Sequence, residues 1–192
     1  MVGEAPRQIA CRGMLALLSA LAAAGAGAQQ FESVGACRDN VPNGAYELLM
    51  ADGRLRAVGA FAQGRKTGTF VFWTGDGARI AVIPYNDDVW SGTVALWYTI
   101  SGNGRELRPK SEAPYVDGKL QGVKRSWYRS GMPSVEARYE HGTLVEAKAW
   151  TEGGSPLGDA EARAQAARVL AADEAHYAAL DALVREHRPP CD

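Results

Sequence analysis

The feature that most constrains the fold is a regular sequence repeat. Gly44, Gly68 and Gly92 are equally spaced, and the next counterpart, Gly122, follows after a longer interval. A fixed period of this length is typical of stacked copies of one supersecondary unit. The pattern therefore indicates four units, the third of which carries a six-residue insertion around residues 101–112.

Each unit has the composition of two strands and two turns. Glycines recur where the chain would reverse, and they supply the positive φ that a tight hairpin turn requires. Apolar and polar residues alternate over residues 135–140, which is typical of a strand with one buried face. The recurring positions are a turn glycine at Gly53, Gly77 and Gly131, and an aromatic residue at Phe61, Tyr85, Tyr115 and Tyr139. The sequence therefore predicts a mainly β protein, an antiparallel meander of consecutive β-hairpin repeats.

The repeat resembles that of a known family. The motifs are Gly-x-Phe-x-Phe-Trp at 68–73, Gly-x-x-x-Leu-Trp-Tyr at 92–98 and Gly-x-x-x-x-Trp-Tyr at 122–128, with link glycines at Gly64 and Gly118. Over about residues 43–150 they resemble the repeats of the bacterial antitoxin-like MORN-variant family. Asp88 and Glu146 replace link glycines, and the first unit lacks the tryptophan. The resemblance implies a repeat architecture and a binding role, and it prescribes no catalytic residue.

The N-terminal segment, positions 1–28, has the pattern of a signal peptide. Two arginines precede a Leu- and Ala-rich run at residues 14–24, and Ala26, Gly27 and Ala28 form a small-residue cleavage site. We expect a periplasmic or secreted protein that is cleaved after Ala28. The apolar run is too short for a stable membrane span, so we expect no transmembrane span after cleavage. The alternatives are an uncleaved anchor and an incorrectly assigned start codon.

Cleavage would leave two cysteines, Cys37 and Cys191, near opposite ends of the mature chain. In an oxidising compartment, such a pair indicates a disulfide bond. A redox or metal-binding pair is the alternative, but no Cys-x-x-Cys motif or nearby histidine supports it. We therefore predict a structural disulfide between these two residues.

A different pattern begins after residues 153–156. Asp159 is a suitable N-cap, an Ala-rich run continues to about His187, and Pro189 and Pro190 end it. A narrow apolar stripe along this run consists of Leu170, Tyr177, Leu180 and Val184. We expect one helix packed on the repeat sheet; its presentation to a partner is the alternative. The predicted organisation is a signal peptide (1–28), an N-terminal lead-in (29–42), MORN-variant-like β-hairpin repeats (43–157), and a C-terminal helix and tail (158–192).

Aromatic residues on the predicted strands provide a candidate binding surface. The central units carry apolar residues at both even and odd positions, so both faces of the sheet are apolar near its middle. One helix covers only one face, so the sheet either curls on itself or leaves an aromatic face for a partner. A tryptophan that recurs at one repeat position is also typical of a core. The candidate residues are Phe72, Trp73, Trp90, Trp97, Tyr98, Trp127 and Tyr128.

The sequence offers no recognisable catalytic constellation. His176 and His187 would lie roughly 16 Å apart along the helix, too far to share a metal ion. Asp87 and Asp88 beside Trp90 have the composition of a glycosidase site, but Asp88 occupies a turn position of the repeat. No nucleophile elbow or phosphate-binding loop is present in the sequence. We therefore predict no catalytic residue, no metal site and no cofactor.

These patterns favour an exported, non-catalytic module that binds a protein. In view of the family resemblance, an antitoxin-like or immunity-like role is the more specific form of this prediction. A net charge of −1 gives no reason to expect nucleic acid as a partner. An envelope-associated structural protein that binds glycan or lipid, and an enzyme of unrecognised type, remain the alternatives.

Overall fold

The computed structural model describes residues 30–99 and 107–191. The predicted signal peptide (1–28), its cleavage site after Ala28 and residues 100–106 of the expanded unit lie outside the described residues. The strands are β1 (Phe31–Arg38), β2 (Val41–Met50), β3 (Leu55–Ala62), β4 (Arg65–Trp73), β5 (Arg79–Asn86), β6 (Val89–Trp90), β7 (Gly92–Thr99), β8 (Leu107–Val116), β9 (Lys119–Leu120), β10 (Gly122–Trp127), β11 (Pro133–Glu140) and β12 (Thr143–Ala149), and the helix is α1 (Asp159–Glu186).

The strands form one open antiparallel sheet. Each long strand pairs with the next long strand along the chain, in the order β1-β2-β3-β4-β5-β7-β8-β10-β11-β12. The two-residue strands β6 and β9 pair with β5 and β8. Antiparallel neighbours need only tight connections, so the regular placement of turn residues is sufficient to produce this meander. The predicted fold class, consecutive β-hairpin repeats with one C-terminal helix packed on them, is confirmed.

The turns at one end of the strands share one geometry. Both central residues of each turn have positive φ, which defines the type I′ hairpin turn. Asp87 and Asp88, with φ of 52° and 67°, are the central residues of one of these turns, so these two aspartates reverse the chain direction. The turn residues are Asp39 and Asn40, Gln63 and Gly64, Asp87 and Asp88, Asp117 and Gly118, and His141 and Gly142. The first of these turns lies one repeat period before the second, so the repeat extends into the predicted lead-in.

The core lies between α1 and one face of the sheet. With 28 residues, α1 is about 42 Å long, and ten long strands at their usual spacing span about 43 Å. Near its start, Arg163 donates a hydrogen bond to the Val145 carbonyl of β12, and just after its end the His187 carbonyl accepts one from Tyr46 of β2. The helix therefore crosses the strands and covers the full width of the sheet.

The predicted apolar stripe of the helix faces this core. Tyr177, Leu180 and Val184 are buried, and Leu170 is partly buried. Alternate side chains of the strands form the opposite wall, as the period of a strand requires. The largest of them are the aromatic residues Tyr46, Phe61, Phe70, Phe72, Tyr85, Tyr115 and Tyr139. The predicted packing of the helix on the sheet is therefore confirmed.

A disulfide bond joins Cys37 in β1 to Cys191 after α1, which confirms the predicted pairing. The two Cα atoms are 5.7 Å apart, and the bond links positions 154 residues apart in sequence. Cys37 lies one repeat period before Phe61, so it occupies the position at which the following units carry an aromatic residue. A disulfide fits a protein of an oxidising compartment, such as the periplasm or the cell exterior. Among the described residues, no helix has both the length and the apolarity needed to cross a membrane.

Candidate binding surfaces

The seven aromatic residues predicted as a binding surface lie in different environments. Phe72 is fully buried beneath the helix and is not available to a partner. Trp90 packs edge-on against the rings of Tyr115 and Tyr177, with centroid distances of 5.2 Å and 5.4 Å. Like Trp90, the other five are partly exposed: Trp73, Trp97, Tyr98, Trp127 and Tyr128.

Strand alternation directs three of these residues to the sheet face opposite the helix, although Trp97 and Trp127 also line cavities that reach His176 and Gln165 of α1. Trp73, Trp97 and Trp127 each follow a buried core residue in their strand, so the alternation of side chains directs them to the other face. Their strands, β4, β7 and β10, are each separated by one strand, which places neighbouring tryptophans about 10 Å apart. The residues paired with them on the next strands along the chain are Arg79, Pro109 and Pro133. The Arg79 guanidinium lies 4.3 Å from the ring centroid of Trp97, a cation–π contact.

A second row on this face is apolar over its first six strands, apart from Glu47, and charged over its last four. Pairing across all ten long strands aligns Val34, Glu47, Val58, Val71, Val82, Ala95, Glu112, Arg125, Glu136 and Lys148. The charges of the last four residues alternate in sign, so each cross-strand pair among them is an attractive one. Arg125 Nε and Glu136 Oε2 are 3.3 Å apart. We call this surface, with the tryptophan row, the helix-free face.

On the other face, Asp173 of α1 is fully buried and contacts two lysines. Its Oδ2 lies 2.5 Å from Nζ of Lys124, and its Oδ1 lies 3.0 Å from Nζ of Lys110. Lys124 is 1% exposed. Burial lowers the pKa of Lys124, because a desolvated ammonium is disfavoured, and the neighbouring carboxylate of Asp173 opposes this shift. Two ammonium groups thus share the carboxylate of Asp173, and the Glu174 carboxylate also acts on Lys124.

A second acidic residue docks the helix about two turns later. The Tyr85 hydroxyl donates a 2.6 Å hydrogen bond to Oδ1 of Asp181, and Lys66 forms an ion pair with the same oxygen. The Lys66 ammonium also lies 4.3 Å from the centroid of the Tyr85 ring. Burial, and after it the Asp181 carboxylate, raise the pKa of Tyr85, so this phenol stays protonated and keeps its role as a donor. The helix is thus positioned by polar contacts as well as by its apolar stripe.

In each unit, one β-bulge inserts an extra residue, and the alternation of side chains along a strand does not predict where that residue points. A register shift leaves Arg56, Ile80, Lys110 and Ser134 unpaired in their hairpins. A bulge redirects the extra residue relative to its neighbours. Lys110 thereby reaches Asp173, and Ser134 accepts a hydrogen bond from Gln165 of α1.

A cavity of about 230 Å³ opens beside the helix at this point, and we call it the helix-flank cavity. Gln165 spans one wall: its Nε2 donates to the Tyr128 hydroxyl at 2.9 Å, and its Oε1 accepts from Arg168 at 3.2 Å. Ser126, which is 3% exposed, lines the cavity. Neither its buried hydroxyl nor Oδ1 of Asp173, which forms only the ion pair with Lys110, has a hydrogen-bond partner among the described residues. The full lining is Tyr98, Lys110, Ser126, Trp127, Tyr128, Ser134, Gln165, Arg168, Val169, Ala172 and Asp173.

An adjoining cavity of about 330 Å³ shares Tyr98 and Lys110 with the first. The Tyr98 hydroxyl donates to the Trp127 carbonyl at 3.0 Å, and the Arg129 guanidinium lies 4.9 Å from the Tyr98 ring centroid. His176 of α1 also lines this cavity. Burial lowers the pKa of His176, and the ammonium of Lys110 adds to the shift, so the imidazole is neutral near pH 7.

Sequence reasoning missed the charged groups of the helix interface, although two of them left a signal. Lys124 lies at the repeat position that Phe70 and Val94 occupy in earlier units, which is a core position. Asp173 falls at helical spacing between Leu170 and Tyr177, inside the apolar stripe. A charged residue at a core position is rarely buried without a partner. Lys124 and Asp173 could therefore have been predicted to pair with each other.

Among residues 30–99 and 107–191, no three His, Cys, Asp or Glu side chains lie close enough to hold a metal ion. Comparison with known families finds no family model that matches the sequence, and comparison with curated proteins finds no match.

Proposed function

We propose that the protein is an exported, non-catalytic module that binds a protein partner through the helix-free face. The observation that supports this most is the tryptophan row beside a row of valines, on a face that the helix does not cover. Aromatic residues at the centre of a surface patch, with charged residues beside them, are typical of protein interfaces. The alternating charges at Glu112, Arg125, Glu136 and Lys148 would give such a partner a defined orientation.

Export is supported by the predicted signal peptide together with the disulfide bond. The resemblance to the MORN-variant repeats suggests a more specific role, in which the module neutralises a partner in the manner of an antitoxin or immunity protein. The partner would then be a protein whose own surface is complementary to the helix-free face.

The test compares two lysine pairs placed on opposite faces. The variant Val71→Lys/Val82→Lys puts two charges into the valine row, whereas Ala171→Lys/Ala175→Lys adds the same charge at exposed positions of α1. After crosslinking in cells, we expect a specific protein to be recovered at least tenfold less with the first variant and equally with the second. Circular dichroism of both variants checks that they fold. Equal recovery with both variants would rule out the helix-free face as the interface.

Glycan binding is the second candidate, and the spacing of the tryptophans favours it. Rings about 10 Å apart would meet every second sugar of a β-linked glycan, since such chains alternate ring orientation from sugar to sugar. Arg79 already covers one side of the Trp97 ring, which is why we place protein binding first. If glycan binding is correct, Trp73→Ala/Trp127→Ala will lose retention on isolated peptidoglycan while the valine-row variant keeps it.

A further inference from the structure

The chain that follows α1 is docked along the edge strand β1, and we call residues 188–191 the tail. The Ser33 hydroxyl donates a 3.1 Å hydrogen bond to the Arg188 carbonyl. Pro189 is buried, and a Cβ at Gly35 would lie 2.5 Å from its Cγ, so a glycine at this position leaves room for the proline ring. The tail therefore runs along β1 in the direction of the strand.

The disulfide bond at the end of the tail decides whether the tail stays docked. It joins Cys191 to Cys37, which lies two residues after Gly35 in β1. The main noncovalent contacts of the tail are an exposed hydrogen bond, a buried proline ring and a cation–π contact, in which the Arg188 guanidinium lies 5.6 Å from the Phe61 ring centroid. Together they are comparable with the conformational entropy that four ordered residues lose. Without the disulfide bond, the docked tail therefore has no large advantage over a free one.

The helix is held by contacts that do not involve the tail. Tyr46 donates a 2.9 Å hydrogen bond to the carbonyl of His187, the last residue before the tail. Less than two turns earlier, Asp181 accepts a 2.6 Å hydrogen bond from Tyr85 and forms an ion pair with Lys66. Because these contacts end at His187, release of the tail leaves the helix on the sheet.

The tail also closes a cavity beside the end of α1. This cavity has a volume of about 230 Å³, and Phe61, Lys66, Asp181 and Arg188 are among its lining residues; we call it the helix-end cavity. Arg188 belongs to the tail and covers the Phe61 ring. When the tail leaves, one wall of the cavity is removed and this aromatic ring is uncovered.

We propose that the disulfide bond between Cys37 and Cys191 is a redox-operated latch, whose reduction frees the tail and opens the helix-end cavity while the sheet and the helix stay folded. Cys37 is exposed, so a reductant in solution reaches the bond. The reductant is a dithiol: one of its thiolates attacks a sulfur of the bond and forms a mixed disulfide, and its second thiol then displaces the protein sulfur. Two electrons and two protons pass to the two cysteines, which become thiols, and the dithiol becomes a disulfide. The proposal does not rest on the protein-binding role of the helix-free face.

The first test measures backbone order by NMR relaxation of the folded mature protein, with and without dithiothreitol as the dithiol. We expect the order parameter of the Cys191 amide to fall from about 0.85 to below about 0.6 on reduction, and that of Leu180 in α1 to stay near about 0.85. In the control Cys37→Ser/Cys191→Ser, the amide at position 191 should be mobile in either condition. A tail that stays ordered after reduction would overturn the proposal. A loss of order at Leu180 would overturn it as well, because the bond would then hold the whole fold together.

The second test asks whether the docked tail and the disulfide bond support each other. Gly35→Ala places a methyl group against the Pro189 ring, whereas nothing lies within 4 Å of a Cβ at Gly75. Docking holds the two thiols close together, so weaker docking should make the bond easier to reduce. At a fixed ratio of reduced to oxidised dithiothreitol, we expect the ratio of reduced to oxidised protein to rise at least about fivefold for Gly35→Ala and to change by less than about twofold for Gly75→Ala. Equal ratios for the two variants would overturn the docking of the tail on which the latch depends.

Discussion

Asp173 of α1 and Lys124 of β10 form an ion pair that is buried between the helix and the sheet, with side-chain exposures of 0% and 1%. The helix is rich in alanine, and a repetitive sheet presents similar apolar surfaces from unit to unit. An apolar stripe alone would therefore allow the helix to shift along the sheet at little cost. Only one register satisfies both charges, so this pair, together with the contacts of Asp181, fixes the position of the helix.

Breaking this pair on one side should be more damaging than removing it altogether. Asp173→Leu leaves Lys124 buried beside Lys110 without a counter-charge, and we expect it to lower the free energy of unfolding by about 3–5 kcal/mol. The double variant Asp173→Leu/Lys124→Met should recover at least half of this loss. Urea midpoints measured at unchanged m-value give both numbers. A double variant as unstable as the single one would contradict this account.

The disulfide between Cys37 and Cys191 should be a large single contribution to stability. Because it links positions 154 residues apart, removing it frees all of the chain between Cys37 and Cys191 in the unfolded state. In the chain-entropy model, Cys37→Ser/Cys191→Ser lowers the free energy of unfolding by roughly 4–5 kcal/mol. Denaturant unfolding of the wild type with and without reductant measures the same quantity independently. A reductant that affects the double variant as strongly as the wild type would show that the bond is not responsible.

Gly59 and Gly75 provide a matched pair of glycine substitutions. A Cβ at Gly59 would come within 2.5 Å of the Phe70 ring, which is fully buried and held between other aromatic rings. Nothing lies within 4 Å of a Cβ at Gly75, and its φ is outside the left-handed region. Gly59→Ala should therefore cost about 1–3 kcal/mol or more through overpacking. Gly75→Ala should be neutral or stabilising by up to about 1 kcal/mol, and thermal unfolding distinguishes the two.

The stability of the protein should fall on acidification partly because of His176. Burial and the nearby ammonium of Lys110 lower its pKa in the folded state, while in the unfolded chain it takes up a proton near its ordinary pKa of about 6.5. Below that pH the unfolded state binds more protons, so the free energy of unfolding decreases as the pH falls towards the folded pKa. We expect His176→Asn to flatten this part of the profile. Parallel profiles for the variant and the wild type between pH 7 and pH 5 would exclude the effect.

The strands and turns could be predicted because their physical causes are local. A type I′ turn needs residues that tolerate positive φ, and Gly64, Gly118 and Gly142 show this in the sequence. Asp88 was recognised as a turn residue only from its place in the repeat, because an aspartate alone does not require positive φ. Two residues of the candidate surface could be assigned to opposite faces for the same reason. Alternation separates Trp73 from the buried Phe72, but the sequence does not show which face the helix will cover.

The repeat, the hairpin topology, the helix and the pairing of Cys37 with Cys191 were determined by the sequence itself, because each depends on residue type at a fixed spacing. Only the tertiary structure decided which sheet face the helix covers. It also decided that a bulge directs Lys110 towards the helix, and that Asp173 forms ion pairs with Lys110 and Lys124. Those outcomes depend on the docking of a helix across ten strands. Contacts between residues that are distant in sequence leave no periodic pattern. They are therefore formed only when the helix packs on the sheet.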